Sequence, residues 1–231
     1  MPSRDELKRL AAIEAVGLIT SGMVVGLGAG STAIYAIRHL GSLIADGTLT
    51  DIVGVPCSVL VEEEARKVGI PIVTLETHPV IDLTIDGADE VDPDLNLIKG
   101  GGGALLREKI VAQASRREVI VIDEEKRSAK LGTTWAVPIE VLPFGHGSQK
   151  RFLETLGGKV TIRKTPSGEI YHTDQGNLIF DTAFGPIDDV PSLASKLEGR
   201  AGIVEHGLFV GIANDLIVAG AGGIEHIRRH S

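Results

Sequence analysis

The stretch Met23-Val24-Val25-Gly26-Leu27-Gly28-Ala29-Gly30-Ser31-Thr32-Ala33 decides the fold. A short apolar run over 23–27 ends in alternating glycines, and a helical pattern resumes over 33–44. Strand, glycine turn, helix is the opening unit of an α/β layer structure. Upstream, Ser3 and Glu6 have capping-box spacing, and Leu7, Leu10, Ala11, Ala15 and Leu18 recur on one face. That pattern predicts a first helix, ended by Gly22.

Downstream the alternation continues. Residues 51–56 read as a strand, 59–67 as a helix, 71–75 as a strand and 82–85 as another. Four glycines introduce a helix over 104–115, and the nearly all-apolar strand 118–122 is expected to be buried on both faces. Such βα units predict a Rossmann-like, mostly parallel sheet with helices on both faces. Near Pro138 the character changes. Extended 137–144, helix 149–156, strand 159–164, strand 177–180, helix 192–197 and extended 202–210 follow in turn. This β-α-β-β-α-β order predicts a smaller ferredoxin-like α+β domain over 137–205. A strand at 216–220 would rejoin the first sheet, so the expected α/β domain is 1–136 with 206–231.

Composition narrows the function classes. With 43% hydrophobic but only 3% aromatic residues, the core must be aliphatic. A net charge of −8 argues against nucleic acid, which needs a basic face, although one lysine and a few amides can hold a single phosphate. The lone Cys57 excludes an intramolecular disulfide and a multi-cysteine zinc site. No apolar run approaches the ~20 residues that span a bilayer. The start, Met1 to Glu6, has no signal-peptide core, so no membrane partner and a cytoplasmic location are expected.

Four segments carry chemistry. Gly28-Ala29-Gly30-Ser31-Thr32-Ala33 fits G-x-G-x-x-A, where glycines let backbone approach an anion at a helix N-terminus. The second strand begins with Asp51 and ends Val55-Pro56-Cys57-Ser58, without the ribose-binding acid of a dinucleotide fold. Phosphate binding through Ser31 and Thr32 is therefore favoured over a dinucleotide or a purely structural turn. Asp86-Gly87-Ala88-Asp89-Glu90-Val91-Asp92 lies among six acids between Asp82 and Asp94 with no base. An ordinary acidic run is a solvated loop, but Asp86 closes a core strand at the end where α/β sheets bind ligands.

Lys99-Gly100-Gly101-Gly102-Gly103 makes an anion-receptive turn beside a lysine. Glu108 follows on the helix, with Ala104 and Ala112 one turn to either side. Alone it would be a solvated helix glutamate. Facing a cleft, desolvation would raise its pKa toward the range a general base needs. Lys126 follows the strand 118–122, and alone would be a surface lysine. His226 and His230 are four apart, but beside Arg228 and Arg229 they read as a frayed, solvated end. Trp135 and Tyr171 read as packing groups.

In this order the segments resemble the A-type ribose-5-phosphate isomerases along essentially the whole chain. Further shared motifs are the 123–126 segment, Glu140-Val141-Leu142-Pro143-Phe144, Thr173-Asp174-x-Gly176-Asn177 and Glu205-x-Gly207-Leu208-Phe209. The resemblance implies interconversion of ribose 5-phosphate and ribulose 5-phosphate in the non-oxidative pentose phosphate pathway. It implies Glu108 as the base, with Asp86, Asp89 and Lys99 at the reacting end. Substrate would be bound by Ala29, Gly30, Ser31 and Thr32, by Asp86, Gly87, Ala88 and Asp89, and by Lys99, Gly100, Gly101, Gly102 and Lys126. No metal, no organic cofactor, and a homodimer or homotetramer are also implied.

Overall fold

Ser3 starts the first helix as its spacing predicts. Its hydroxyl accepts the Glu6 amide at 3.2 Å, and Glu6 Oε2 accepts the Ser3 amide at 2.6 Å. The helix closes earlier than expected, at Gly17, whose N–H returns to the Ile13 carbonyl at 3.1 Å. Its buried face is Ala11, Ala12, Ala15 and Val16, while Leu10 is left exposed.

This computed structural model describes residues 3–229. In chain order the elements are α1 (Arg4–Val16), β1 (Val24–Leu27), α2 (Ser31–Ala45), β2 (Val53–Pro56), α3 (Val59–Lys67), β3 (Leu83–Asp86), β4 (Glu90–Val91) and β5 (Leu97–Ile98). They continue with α4 (Leu105–Gln113), β6 (Glu118–Asp123), a 3-10 turn (Glu124–Lys126), β7 (Val137–Val141), α5 (His146–Thr155), β8 (Lys159–Ile162) and β9 (Leu178–Ala183). The last are α6 (Val190–Glu198), β10 (Ile203–His206), β11 (Leu208–Phe209), β12 (Asp215–Gly220) and β13 (Gly223–Arg228).

Two compact units divide this chain. The first holds the chain up to Ala88, Arg107–Lys126 and the chain from Ile212 on; the second holds Asp89–Leu106 and Arg127–Gly211. The division differs from the sequence expectation at 89–106, at 127–136 and at 206–211.

The first unit is built on a six-stranded sheet, β13-β12-β6-β3-β1-β2. β2, β1, β3, β6 and β12 run parallel, and only β13 is antiparallel. Helices cover both faces. Val25 and Leu27 pack with Val16 of α1 and with Ala36, Ile37 and Leu40 of α2. Gly26 points the other way, where an added Cβ would fall 2.9 Å from Val111 Cγ1 of α4. β6 is buried at all six positions, as its apolar run predicts. From β1 the chain goes to the edge strand β2 and then returns to β3 on the other side of β1. The strand order therefore reverses between β1 and β3, and their carboxyl ends flank the crevice where open α/β sheets take ligands.

The second unit contains the expected β-α-β-β-α-β domain, an antiparallel sheet ordered β10-β7-β9-β8. Its core gathers Val137, Ile139, Val141, Leu153, Phe180 and Leu197. On β7, Glu140 is fully buried; its Oε1 accepts Thr173 Oγ1 and Asn177 Nδ2, each at 2.8 Å. Burial pushes this carboxyl above the usual carboxylate range against the pull of those two bonds.

Two local expectations fail for physical reasons. Residues 71–75 form no strand: Pro71 has no N–H to donate, only Ile72 bridges to Gly54, and the chain turns where Thr77 and His78 bond back to the Thr74 carbonyl. The C-terminus is not frayed through Arg228, because β13 pairs with β12 from Gly223 and His226 bonds Asp215; His230 lies outside the described residues. A small three-stranded sheet, β11-β5-β4, is not expected from the sequence as a sheet, although β11 lies within the extended segment 202–210. Among the described residues no helix is long and apolar enough to cross a membrane.

Candidate active site

In the first unit the predicted residues gather at the reversal of strand order. β1 ends at Leu27, and Gly28 donates to the Ile85 carbonyl of β3 at 3.0 Å. A Cβ on Gly28 would lie 2.3 Å from Asp86 Cγ and 2.5 Å from its Cα, so only glycine lets Asp86 fill this space. Asp86 Oδ1 accepts the amides of Ala29 at 2.9 Å and Gly87 at 2.7 Å. The carboxylate thus shapes the turn that precedes α2. Gly30, at φ 98°, is the N-cap of that helix and offers no side-chain cap. Ser31 and Thr32 open the helix, and its first turn carries no acid. Amides at such an end are receptive to an anion.

Glu108 sits on α4 and is 5% exposed, although a helix glutamate is ordinarily solvated. Ligand atoms of Glu108, Asp86 and Cys57 all lie within 4.8 Å of one another. Cys57 and Asp86 are more deeply buried still, so two carboxylates and a thiol share a dry place. These three could also converge on a cation. Sequence reading missed Cys57; the signal was its place directly after β2, at a strand's carboxyl end. Gly87 and Ala88 continue from Asp86 and are half-buried. Lys126 is half-buried in the 3-10 turn that leaves the carboxyl end of β6.

The second unit holds Asp89, Lys99 and the tetraglycine. Lys99 is 2% exposed, its amide bonds the Gly207 carbonyl at 2.9 Å, and its Nζ lies 5.5 Å from the Phe209 ring centre. Asp89 Oδ2 accepts the Gly101 amide at 2.7 Å. Gly100 and Gly103 have φ of 97° and 88°, a backbone that side chains disfavour. On the other side of the loop, Arg163 Nη1 donates to the carbonyls of Gly100 at 2.8 Å and Gly101 at 3.0 Å. Tyr171 stands against Gly103, where a Cβ would meet its hydroxyl at 2.3 Å. Tyr171 is therefore a wall of this loop, a closer fit to the packing reading than Trp135, which is 40% exposed.

The acidic segment is not a solvated run. Glu90 is fully buried, and its carboxylate accepts the amides of Gly132 at 2.9 Å, Thr134 at 3.1 Å and Trp135 at 3.2 Å. Asp92 accepts the Asp94 and Asn96 amides at 3.0 and 2.8 Å, closing a turn. Of the six acids, Glu90 and Asp92 thus serve the backbone, and Asp82 bonds the Val24 amide at 2.9 Å.

Comparison with known proteins agrees along the chain. The family model of ribose 5-phosphate isomerase A (phosphoriboisomerase A) matches residues 53–223. The ribose-5-phosphate isomerase A of Desulfatibacillum aliphaticivorans is 57% identical over 228 residues, covering 99% of both chains. A solved ribose 5-phosphate isomerase from Plasmodium falciparum is 42% identical, with a TM-score of 0.95 over 98% of this chain and all (100%) of that one. A solved D-ribose-5-phosphate isomerase in complex with phospho-erythronic acid is 38% identical, with a TM-score of 0.97 over 99% of this chain and 100% of that one.

Proposed function

The chain belongs to the ribose 5-phosphate isomerase A family, and from that premise we propose how its residues divide the work. The reaction is the interconversion of ribose 5-phosphate and ribulose 5-phosphate in the pentose phosphate pathway. It moves one proton between C2 and C1 of the open-chain sugar. Glu108 takes the C2 proton, the electron pair left behind forms an enediolate with the former aldehyde oxygen carrying the charge, and as the C2 hydroxyl proton passes to that oxygen the same carboxyl returns a proton to C1. The observation that carries this reading is the burial of Glu108 within 4.8 Å of Asp86 and Cys57. A base freed of competing water is what abstraction of a weakly acidic C–H proton requires.

Lys99 and the amides of Gly100 and Gly102 supply donors to the enediolate, while the Gly101 amide, held by Asp89, lines the site; preorganised donors are usually the largest catalytic term. Asp86 and Asp89 accept sugar hydroxyls and assist ring opening. Ala29, Gly30, Ser31 and Thr32, at the uncapped start of α2, hold the phosphate with Lys126. Gly87 and Ala88 line the sugar. The phosphate does not react; its binding energy positions C1 and C2. Phospho-erythronic acid, the ligand of the solved relative, joins a phosphate to a carboxylate as an enediolate mimic would.

The test is isomerisation in deuterium oxide, followed by NMR of the sugars at equilibrium. Deuterium is expected at C1 of ribulose 5-phosphate and C2 of ribose 5-phosphate. Full retention of the original hydrogen in the wild type, together with an undiminished rate in Glu108→Gln, would remove Glu108 as the base. We also propose that the enzyme works in the cytoplasm as a homodimer or homotetramer. Support for assembly comes from exposed apolar side chains, Phe144 at 92% and Leu142 at 45%. Light scattering of the purified chain checks the assembly, and a monomer would overturn it.

A further inference from the structure

Four consecutive glycines are the least constrained backbone a chain can hold, yet donors aimed at an enediolate must be fixed before the substrate arrives. Something outside the loop has to hold it. One amide is held by Asp89, through Gly101. The carbonyl side is held by Arg163, which stands just past β8. Its backbone N–H bonds the Ile179 carbonyl at 2.9 Å, and its carbonyl accepts the Tyr171 amide at 3.0 Å. The side chain is 14% exposed and forms a two-toothed pair with Asp181 of β9: Nε bonds Oδ2 at 2.9 Å, and Nη2 bonds Oδ1. With Nε and Nη2 locked on a sheet strand, Nη1 is left in a fixed direction and spans the Gly100 and Gly101 carbonyls. The guanidinium also lies 6.0 Å from the ring centre of Tyr171, the wall against Gly103.

We infer that Arg163 is a positioning residue, clamped by Asp181, that fixes the Gly100–Gly101 and Gly101–Gly102 peptides, so that the Gly101 N–H stays on Asp89 and the Gly102 N–H is set for the sugar. Engaging the two carbonyls sets the plane of each following peptide, and so the direction in which its N–H points. A lysine cannot take this place, because one ammonium cannot grip a carboxylate with two donors while spanning two carbonyls. The inference rests on the reading of Gly100, Gly101 and Gly102 as substrate-binding residues.

Arg163→Ala, Arg163→Lys and Asp181→Asn are compared in the full chain by three measurements. The first is hydrogen exchange of the Gly100–Gly103 amides, which does not depend on activity. The second is kcat and KM, taken well below each variant's melting temperature. The third is rescue of Arg163→Ala by free guanidinium, against sodium chloride at equal ionic strength. Loop amides are expected to exchange at least about tenfold faster and kcat/KM to fall about 10–100-fold, the scale of a misplacement of about 1 Å. Asp181→Asn is expected to fall between wild type and Arg163→Ala, and guanidinium alone is expected to restore turnover. Unchanged loop exchange in Arg163→Ala overturns the inference and leaves the isomerase reading standing on wild-type turnover. Faster exchange with kcat/KM within twofold overturns it as well, and counts against the glycines as substrate ligands. Should Arg163→Ala fold poorly, Asp181→Asn carries the same exchange and kinetic tests.

Discussion

Glu108→Gln is expected to lower kcat by about 10²–10⁴-fold, or about 2.7–5.5 kcal/mol of barrier, while the protein stays folded. The substitution changes almost nothing in shape, so α4 keeps its place over the sheet and Val111 its contact near Gly26. What it removes is the lone pair that takes a proton from carbon, because an amide oxygen is far too weak a base at neutral pH. Substrate binding should survive, since the phosphate is assigned to the start of α2 and not to α4. Calorimetry with ribose 5-phosphate on the slow variant is therefore expected to give an affinity within a few-fold of the wild-type KM. Glu108→Asp adds a second reading: the carboxylate remains but is drawn back by one methylene, so its loss reports geometry and not basicity. A Glu108→Gln enzyme with turnover within about threefold of wild type would end the assignment.

Much of the candidate site's placement was legible because its signals are local. A strand that runs into Gly28-Ala29-Gly30 and on into a helix needs only adjacent residues to be recognised, and Asp86 is placed by the four-residue strand it ends. Glu108 could be singled out because its neighbours one turn away are alanines. The remainder depends on partners remote in sequence. Arg163 meets Gly100 across 63 positions, and Glu90 meets Trp135 across 45, and neither pairing leaves any periodicity behind. β4 and β5 are two residues each, shorter than any pattern can resolve. Residues 71–75 carried the composition of a strand, but a proline at the start and a turn at the end left a single bridge. Acids misled for a related reason: charge predicts solvent, and Glu90 instead satisfies three amides in the interior.

Asp215 is the largest expected stability effect away from the chemistry. It opens β12, is 3% exposed at its side chain, and takes a two-toothed bond from Arg117, at 2.7 Å on Oδ2 and 2.8 Å on Oδ1. His226 Nε2 of β13 lies 2.6 Å from Oδ1. Burial pushes this carboxyl up, but the Arg117 and His226 hydrogen bonds outweigh it and hold its pKa below the usual range. Asp215→Ala removes the anion and leaves Arg117 and His226 facing each other. Breaking a buried pair costs about 3–5 kcal/mol, and the lower end applies because Arg117, 33% exposed, can regain water. A loss of about 3 kcal/mol corresponds to roughly 6–12 °C in Tm for a chain of this size. The pH dependence has a definite sign. A carboxyl whose folded pKa lies below its unfolded value of about 3.9 gives its full stabilisation above that value, and loses it as pH falls through the folded pKa. The Tm gap between wild type and Asp215→Ala should therefore be complete above about pH 5 and narrow only in stronger acid. Turnover at low temperature is the control. Asp215 stands at the amino end of β12, whereas Asp86 ends β3 and Gly28 and Lys126 follow the carboxyl ends of β1 and β6 in the same parallel sheet. A folded Asp215→Ala chain should thus keep its kcat, and a Tm loss under about 2 °C would show that the Asp215 pairing with Arg117 and His226 is worth no more than about 1 kcal/mol.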